Sequence, residues 1–325
     1  MPEGHSVHRI ARQFALHFVG HRVQASSPQG RFAAGAALLD GQVMIGSKAI
    51  GKQLFLEFDN GLWLRVHLGI YGAWDFSGVV TADATMASAQ GRIGQTNQRG
   101  TVVGEHEESL SSIGAPRRTR LRMAEQETRG PGADSAPFPP EPIGAVRVRL
   151  LTDASCADLR GPTACDVLGE EEVAAAIGKL GPDPLVDSSP GAEQRFVGTV
   201  RRKPTPIALL LMDQSVIAGV GNVYRAELLF RARLNPHTPG RDVAEATARA
   251  LWRDWARLLA IGVATGQMMT MDGLSPEDYD AALASRADRH WVYHRTGEPC
   301  RVCGTPIAME ELGGRKLYWC PLDQA

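Results

Sequence analysis

Apolar residues at Val7, Ile10, Ala11, Phe14, Ala15 and Phe18 recur at the i, i+3, i+4, i+7 spacing of a helix with one packed face. Gly20 closes the run. From Gln53 the period changes to two. Leu54, Leu56 and Phe58 share one face, Asp59-Asn60-Gly61 supplies a hairpin turn, and Leu62, Leu64, Val66 and Leu68 continue inward, with Trp63, Arg65 and His67 opposite. Alternation returns over residues 145–151, where Val146, Val148 and Leu150 face inward. The stretch of about 77–142 breaks the pattern. It is rich in Gly, Ser, Ala, Gln and Arg, ends in Pro137-Phe138-Pro139-Pro140, and reads as an insertion or flexible loop. These patterns predict a mostly β first region, a two-sheet sandwich with the starting helix at its edge.

Farther along, the spacing is helical. Residues 170–180 predict a short helix closed by Gly181-Pro182, and Thr205 is expected to cap a helix that runs from Pro206 through Met212. The chain then turns through Val216-Ile217-Ala218-Gly219-Val220-Gly221 into a helix with Val223, Ala226, Leu229 and Phe230 on its apolar side. Residues 242–263 give a long amphipathic helix carrying Leu251, Trp255, Leu258 and Leu259.

At 325 residues the chain is long enough for two domains with their own cores, and 43% hydrophobic with 22% charged residues is the make-up of a soluble globular protein. No apolar run approaches a membrane span, and residues 1–20 lack the pattern of a signal peptide, so the expected location is cytoplasmic. A net charge of −1 gives no global attraction to nucleic acid, so any DNA contact must rest on local basic groups. Arg117-Arg118-Thr119-Arg120 is one such group, serving phosphate or only water.

Candidate chemistry begins at the first residues, Met1-Pro2-Glu3-Gly4-His5. Removal of an initiator Met before a small residue would leave Pro2 with a free secondary amine. An α-amino group has a pKa of about 8, and a helix starting beside it lowers that value further. A secondary amine that attacks a sugar C1′ forms an iminium, an electron sink that permits β-elimination. Glu3 is a carboxyl one residue away, able to move protons. Lys52 follows Gly51 at the mouth of the hairpin, either solvated or placed for phosphate or acid–base contact. Ile70 and Tyr71, in a tight loop between Gly69 and Gly72, serve as core or as wedges for a DNA stack. The glycines before Asn222 suit a helix start that grips phosphate, or a plain helical hairpin with an Asn cap.

Five cysteines, an odd number, argue against a disulfide framework. Cys300-x2-Cys303-x16-Cys320 suits a structural zinc in a β-ribbon, about one ion per chain. The position of a fourth cysteine holds Asp323, and His290 and His294 are alternative fourth ligands. Arg315 follows Leu312-Gly313-Gly314 on the ribbon's tip, solvated or poised for phosphate.

In this order the motifs resemble the formamidopyrimidine-DNA glycosylase/endonuclease VIII family over nearly the whole chain outside 77–142. Pro2-Glu3-Gly4 is similar to its amino-terminal signature, with Gly4 closer to the endonuclease VIII branch. Gly51-Lys52 matches its lysine hairpin, Gly219 to Tyr224 its helix–two-turns–helix motif, and the tail its zinc finger. The resemblance implies an α+β multidomain fold: residues 1–152 a catalytic β-sandwich domain, 153–285 a helical DNA-binding domain, 286–325 a zinc-finger hairpin. It implies a DNA glycosylase and AP lyase that removes oxidised bases, pyrimidines favoured, and cuts by β,δ-elimination. Pro2 would be the Schiff-base nucleophile and Glu3 the proton-shuttling carboxyl. Lys52, Asn222 and Arg315 would hold phosphates, with Lys52 also assisting catalysis, and Ile70 and Tyr71 would fill the gap left by the flipped nucleotide. The zinc would be structural, the partner damaged DNA, the protein a nucleoid-associated monomer.

The chain also departs from that family. His5-Ser6 stands where many members continue Pro-Glu, which removes a second carboxylate and bears on sugar-ring opening. His5-Ser6-Val7-His8-Arg9 is similar to an actinobacterial subgroup. The competing readings are a lyase acting mainly on existing abasic sites, a non-catalytic DNA-damage binder, and a zinc ribbon fused to an unrelated β domain.

Overall fold

The computed structural model describes residues 2–80, 112–115, 138–284 and 288–325. Most of the expected insertion, with its Arg117–Arg120 cluster, lies outside the described residues. Helix α1 (Gly4–His17) follows the predicted stripe, with Val7, Ile10, Ala11 and Phe14 buried and Gly20 taking the positive φ that ends the run. Phe14 packs edge-on against Trp74, ring centres 4.8 Å apart.

Two compact units account for the described chain. The first contains Pro2 and runs from Ser6 to Ile177; its strands are β1 (Arg22–Ser26), β2 (Gln42–Ile50), β3 (Gln53–Phe58), β4 (Trp63–His67), β5 (Ala73–Gly78), β6 (Ser112–Gly114), β7 (Val146–Leu151), β8 (Ser155–Arg160) and β9 (Ala164–Leu168). They form one antiparallel ladder in the order β6-β5-β8-β7-β1-β2-β3-β4-β9. Only Arg22–Val43 and Val23–Gln42 join the half that ends in β1 to the half that begins with β2. One core takes Trp74, Phe76 and Leu150 from one half and Leu54, Leu56 and Leu64 from the other, with Phe14 of α1. That is the packing of a sandwich.

Three details differ from the pattern reading. Trp63, placed outward by alternation, is buried, with the Lys48 ammonium 4.3 Å above its ring. A short helix α2 (Ala33–Leu39) precedes β2 without a periodic signal. A domain boundary at 152 would fall between paired strands β7 and β8, whereas the compact unit continues through β9 and helix α3 (Glu170–Gly178). The signal fails at β8 because it is buried on both faces and so does not alternate.

The second unit comprises Glu3–His5 and the described residues from Gly178 to Ala325. Its helices are α4 (Pro190–Arg201), α5 (Ile207–Leu210), α6 (Asn222–Arg231), α7 (Glu245–Thr265) and α8 (Pro276–Ala284). Phe196, Leu210, Ile217, Tyr224, Leu228, Leu251, Trp255 and Leu258 form its core. Thr205 does not cap α5. The first helical amides are taken instead by chain carbonyls, Ile207 N to Thr238 O (2.8 Å) and Ala208 N to Pro236 O (3.1 Å), so no side-chain cap is required. Strands β10 (Ala308–Leu312) and β11 (Arg315–Trp319) form the ribbon, turning through Gly313 and Gly314, both at positive φ.

Candidate active site and metal centre

Helix α6 begins after an extended Gly221, and its first amides have no partner within the helix. Glu3 supplies one. Its fully buried carboxylate accepts from Gly221 N (2.9 Å), Val223 N (2.8 Å) and Tyr224 N (3.4 Å). Negative charge is favoured at a helix N-terminus. The amides expected to grip a phosphate are thus occupied by the protein's own carboxylate, which corrects the sequence reading of this turn. Gly221 is needed because a Cβ there would lie 2.3 Å from the Glu3 carboxyl carbon. Gly4 N also donates to Gly219 O (2.9 Å), and Gln214 braces the turn through Gly219 N (3.0 Å) and Val220 O (3.1 Å). Pro2, directly before this anchor, is buried.

Asn222 is the first helical residue, not the cap. Its Nδ2 donates to Lys316 O of β11 (2.9 Å), and its Oδ1 accepts from Arg225. Arg225 is fully buried and also donates to Lys316 O (3.2 Å). Burial pushes its guanidinium down to about 10, with the Glu3 charge opposing and the Arg315 charge adding to the fall. Arg315 itself is exposed at the start of β11, opposite Leu312. Glu3, Asn222, Arg225 and Arg315 therefore form one neighbourhood within the second unit. Sequence reasoning missed Arg225; the available signal was an arginine flanked by Tyr224 and Ala226 in a helix with a wide apolar surface, where a buried charge must find partners.

In the first unit, Lys52 sits in the turn between β2 and β3 after Gly51, whose φ is 58°. It lies beside His67, the cross-strand partner of Gln53. Burial holds the His67 imidazole below its usual value, and the Lys52 and Arg65 charges add to this. Ile70 and Tyr71 are 39% and 57% exposed on the loop between β4 and β5, so they are not core residues. The loop is held tight by Gly72 N donating to Leu68 O (2.9 Å), and a Cβ at Gly72 would lie 2.3 Å from that oxygen.

Cys300, Cys303, Cys320 and Asp323 converge, their ligand atoms all within 4.8 Å of one another. Cys300 Sγ is 3.0 Å from Asp323 Oδ2, and Cys303 Sγ is 3.4 Å from Cys320 Sγ. Three thiols and a carboxylate make a set of four donors that suits a structural zinc. His290 and His294 are not in this cluster; His290 is buried beside Thr270, and His294 stacks on Tyr318. Cys300 is pushed up to about 12 by burial and by its bond to Asp323, while bonds from Cys303 and Cys300 hold the Asp323 carboxyl below its ordinary range. Binding of a metal ion there would require loss of the thiol protons.

The sheet domain with its anchored amino-terminal Pro-Glu, the helical unit and the thiol-bearing ribbon each match a known family model. The formamidopyrimidine-DNA glycosylase N-terminal domain matches residues 1–124, its H2TH domain 180–272, and the zinc finger found in FPG and IleRS 297–325. Endonuclease 8 1 of Mycobacterium tuberculosis is 37% identical over 325 residues, all of both chains. Formamidopyrimidine-DNA glycosylase of Thermus thermophilus is 39% identical over 146 residues, 45% of this chain and 54% of that one. The fold matches the crystal structure of the MutM (Fpg) protein from Thermus thermophilus with a TM-score of 0.64 at 24% identity, covering 99% and 98% of the chains. It also matches the Lactococcus lactis Fpg complex with DNA containing an abasic site, with a TM-score of 0.67 at 17% identity and 99% of each chain covered. The chain belongs to the formamidopyrimidine-DNA glycosylase/endonuclease VIII family of DNA glycosylases and AP lyases. Among the described residues, no helix is long and apolar enough to cross a membrane.

Proposed function

We propose that this chain excises oxidised bases, pyrimidines in preference, and cuts the strand through a Schiff base on Pro2. With Met1 removed, the Pro2 nitrogen attacks C1′ and the damaged base leaves with a proton. The sugar ring opens to an iminium as O4′ takes up a proton, a C2′ proton is lost, and the C3′–O bond breaks with departure of the 3′ phosphate. Loss of a C4′ proton then breaks the C5′–O bond and releases the 5′ phosphate, and water hydrolyses the remaining iminium to free Pro2 and the sugar remnant. The observation that carries this reading is the Glu3 carboxylate, locked by three backbone amides one residue from the nucleophile. An anchored neighbour fixes the chain at Pro2 and keeps a carboxyl available for proton movement.

The other roles follow from local geometry. Asn222 uses one Nδ2 hydrogen on Lys316 O, and its second is assigned to a DNA phosphate, with Arg225 fixing the amide's orientation. Arg315 and Lys52 add charge-assisted phosphate contacts. Ile70 and Tyr71 fill the stack after the nucleotide flips. Cys300, Cys303, Cys320 and Asp323 would hold one zinc ion, which fixes the ribbon that carries Arg315. We take the protein to act on the chromosome, with the nucleoid, as a monomer. Pro2→Gly tests the assignment: cutting of an abasic-site duplex should fall by about 10³-fold or more, while binding to an uncleavable abasic analogue persists. Equal cutting by the variant contradicts the mechanism.

A further inference from the structure

Helix α7 carries Gly262 one turn before it closes at Gly266, although alanine is the better helix former. Gly262 is buried, and the space beside it is taken. A Cβ there would lie 2.5 Å from Tyr224 Oη, 2.8 Å from His5 Cβ and 3.1 Å from His5 Cγ. The bare Cα thus admits two side chains that an alanine would displace.

Both side chains belong to the surroundings of Glu3. Tyr224, whose amide is one of the three on the Glu3 carboxylate, is fully buried and confined by α7. Its ring meets Trp255 with centres 4.8 Å apart, and its hydroxyl donates to Leu258 O (3.4 Å). His5, only 4% exposed, sets its ring edge-on to Tyr224 with centres 5.8 Å apart. Trp255, Leu258 and Gly262 fall at i, i+3 and i+7, so one stripe of α7 holds the pair. Tyr224 has little room to yield. The His5 Cβ is one bond from the main chain, so a larger residue at 262 must shift the backbone two residues beyond Glu3 and three beyond Pro2.

We propose that His5 and Gly262 are positioning residues for strand cutting. The seat left open at Gly262 holds His5 against Tyr224. Together with the Glu3 bonds and Gly4 N to Gly219 O, it fixes the segment that presents Pro2. The pair acts through Pro2 and Glu3 and not on the DNA. A small displacement of a reacting group is costly in rate while leaving distant binding contacts in place. The role rests on the Pro2 mechanism proposed above.

Single-turnover cutting of an abasic-site duplex at saturating protein, beside binding to an uncleavable abasic analogue, tests it on the full chain. Gly262→Ala should slow cutting by about tenfold or more, with binding held within about twofold. His5→Ala, which removes the ring without introducing a clash, should also slow cutting, and it carries the test where Gly262→Ala does not fold. His5→Phe restores a ring on Tyr224 and should recover part of that loss. The double variant should lose less than the product of the two single losses, because both act on one seat. An unaltered rate in either folded single variant overturns the proposal. Equal losses of binding and cutting overturn it as general loosening. His5→Phe as slow as His5→Ala overturns it by assigning the imidazole a chemistry of its own. If borohydride yields no adduct at Pro2 of the natural protein, this role and the mechanism fall together; an adduct at Pro2 with an unaltered Gly262→Ala rate overturns this role alone.

Discussion

Two glutamates of the second unit, Glu3 and Glu227, are both fully excluded from solvent, and both close on three backbone amides. Glu3 takes the amides of Gly221, Val223 and Tyr224 at the start of α6. Glu227, within α6, takes those of Trp291, Val292 and Tyr293 (2.8, 3.0 and 2.9 Å) and the Thr270 hydroxyl (2.6 Å). The bonding is nearly the same, yet one carboxylate stands beside Pro2, the proposed nucleophile, and the other ties a connecting segment to a helix. Burial and hydrogen bonding alone therefore do not mark a catalytic acid. What separates the pair is the covalent neighbour: Pro2 for Glu3, and Ala226 and Leu228 in the packed body of α6 for Glu227.

The comparison breaks most visibly in the rate of strand cutting. Glu3→Gln should slow single-turnover cutting of an abasic duplex by about 10²-fold or more, whereas Glu227→Gln should leave the rate of folded protein within a few-fold. Comparable losses from both would remove the distinction. Both variants should lose stability, by about 1–3 kcal/mol in urea unfolding, because an amide cannot accept at both former carboxylate oxygens.

Acidity gives a further test of Glu227. Burial raises the Glu227 carboxyl above its ordinary value despite its four donors. In that case the folded state binds the proton more tightly than the unfolded chain does. The associated stability is present below the unfolded value, near 4.5, and is lost as pH rises through the folded one. The deficit of Glu227→Gln relative to the natural protein should therefore shrink as pH rises from about 4.5 toward neutrality. A deficit that grows over that interval contradicts the assignment. The smallest effect belongs to the exposed neighbour of the Glu3 cluster. Arg315→Ala should weaken DNA binding by about tenfold and reduce the salt slope by about one, as one lost phosphate contact does. Unaltered affinity and slope would return Arg315 to solvent.

Periodicity made α1 and the core of α7 legible in the sequence, because each packs one face against a core. The β3–β4 hairpin was legible from its turn and its Leu54, Leu56 and Leu64 face, although Phe55 and Trp63 on the other face are buried as well. Spacing made the three cysteines of the metal cluster legible, whereas the choice of Asp323 over His290 and His294 as the fourth member came from the fold. Neither signal reaches α2, whose seven residues are mostly alanine, or β8, which has no outward face. Thr205 misled because neighbouring chain took over the capping of α5. The partners of Glu3 lie about 220 residues away, and no local pattern encodes them. Arg225 carries a charge where composition suggests only an apolar stripe, so its place emerges from the partners that the fold supplies.

The most direct measurement is borohydride trapping on duplexes that contain an abasic site or an oxidised pyrimidine, with removal of Met1 verified by mass. Reduction should convert the transient iminium to a stable adduct on both substrates, and peptide mapping should place it on Pro2. An adduct on another residue, or none from Met1-free protein that still binds the DNA, contradicts the Pro2 mechanism.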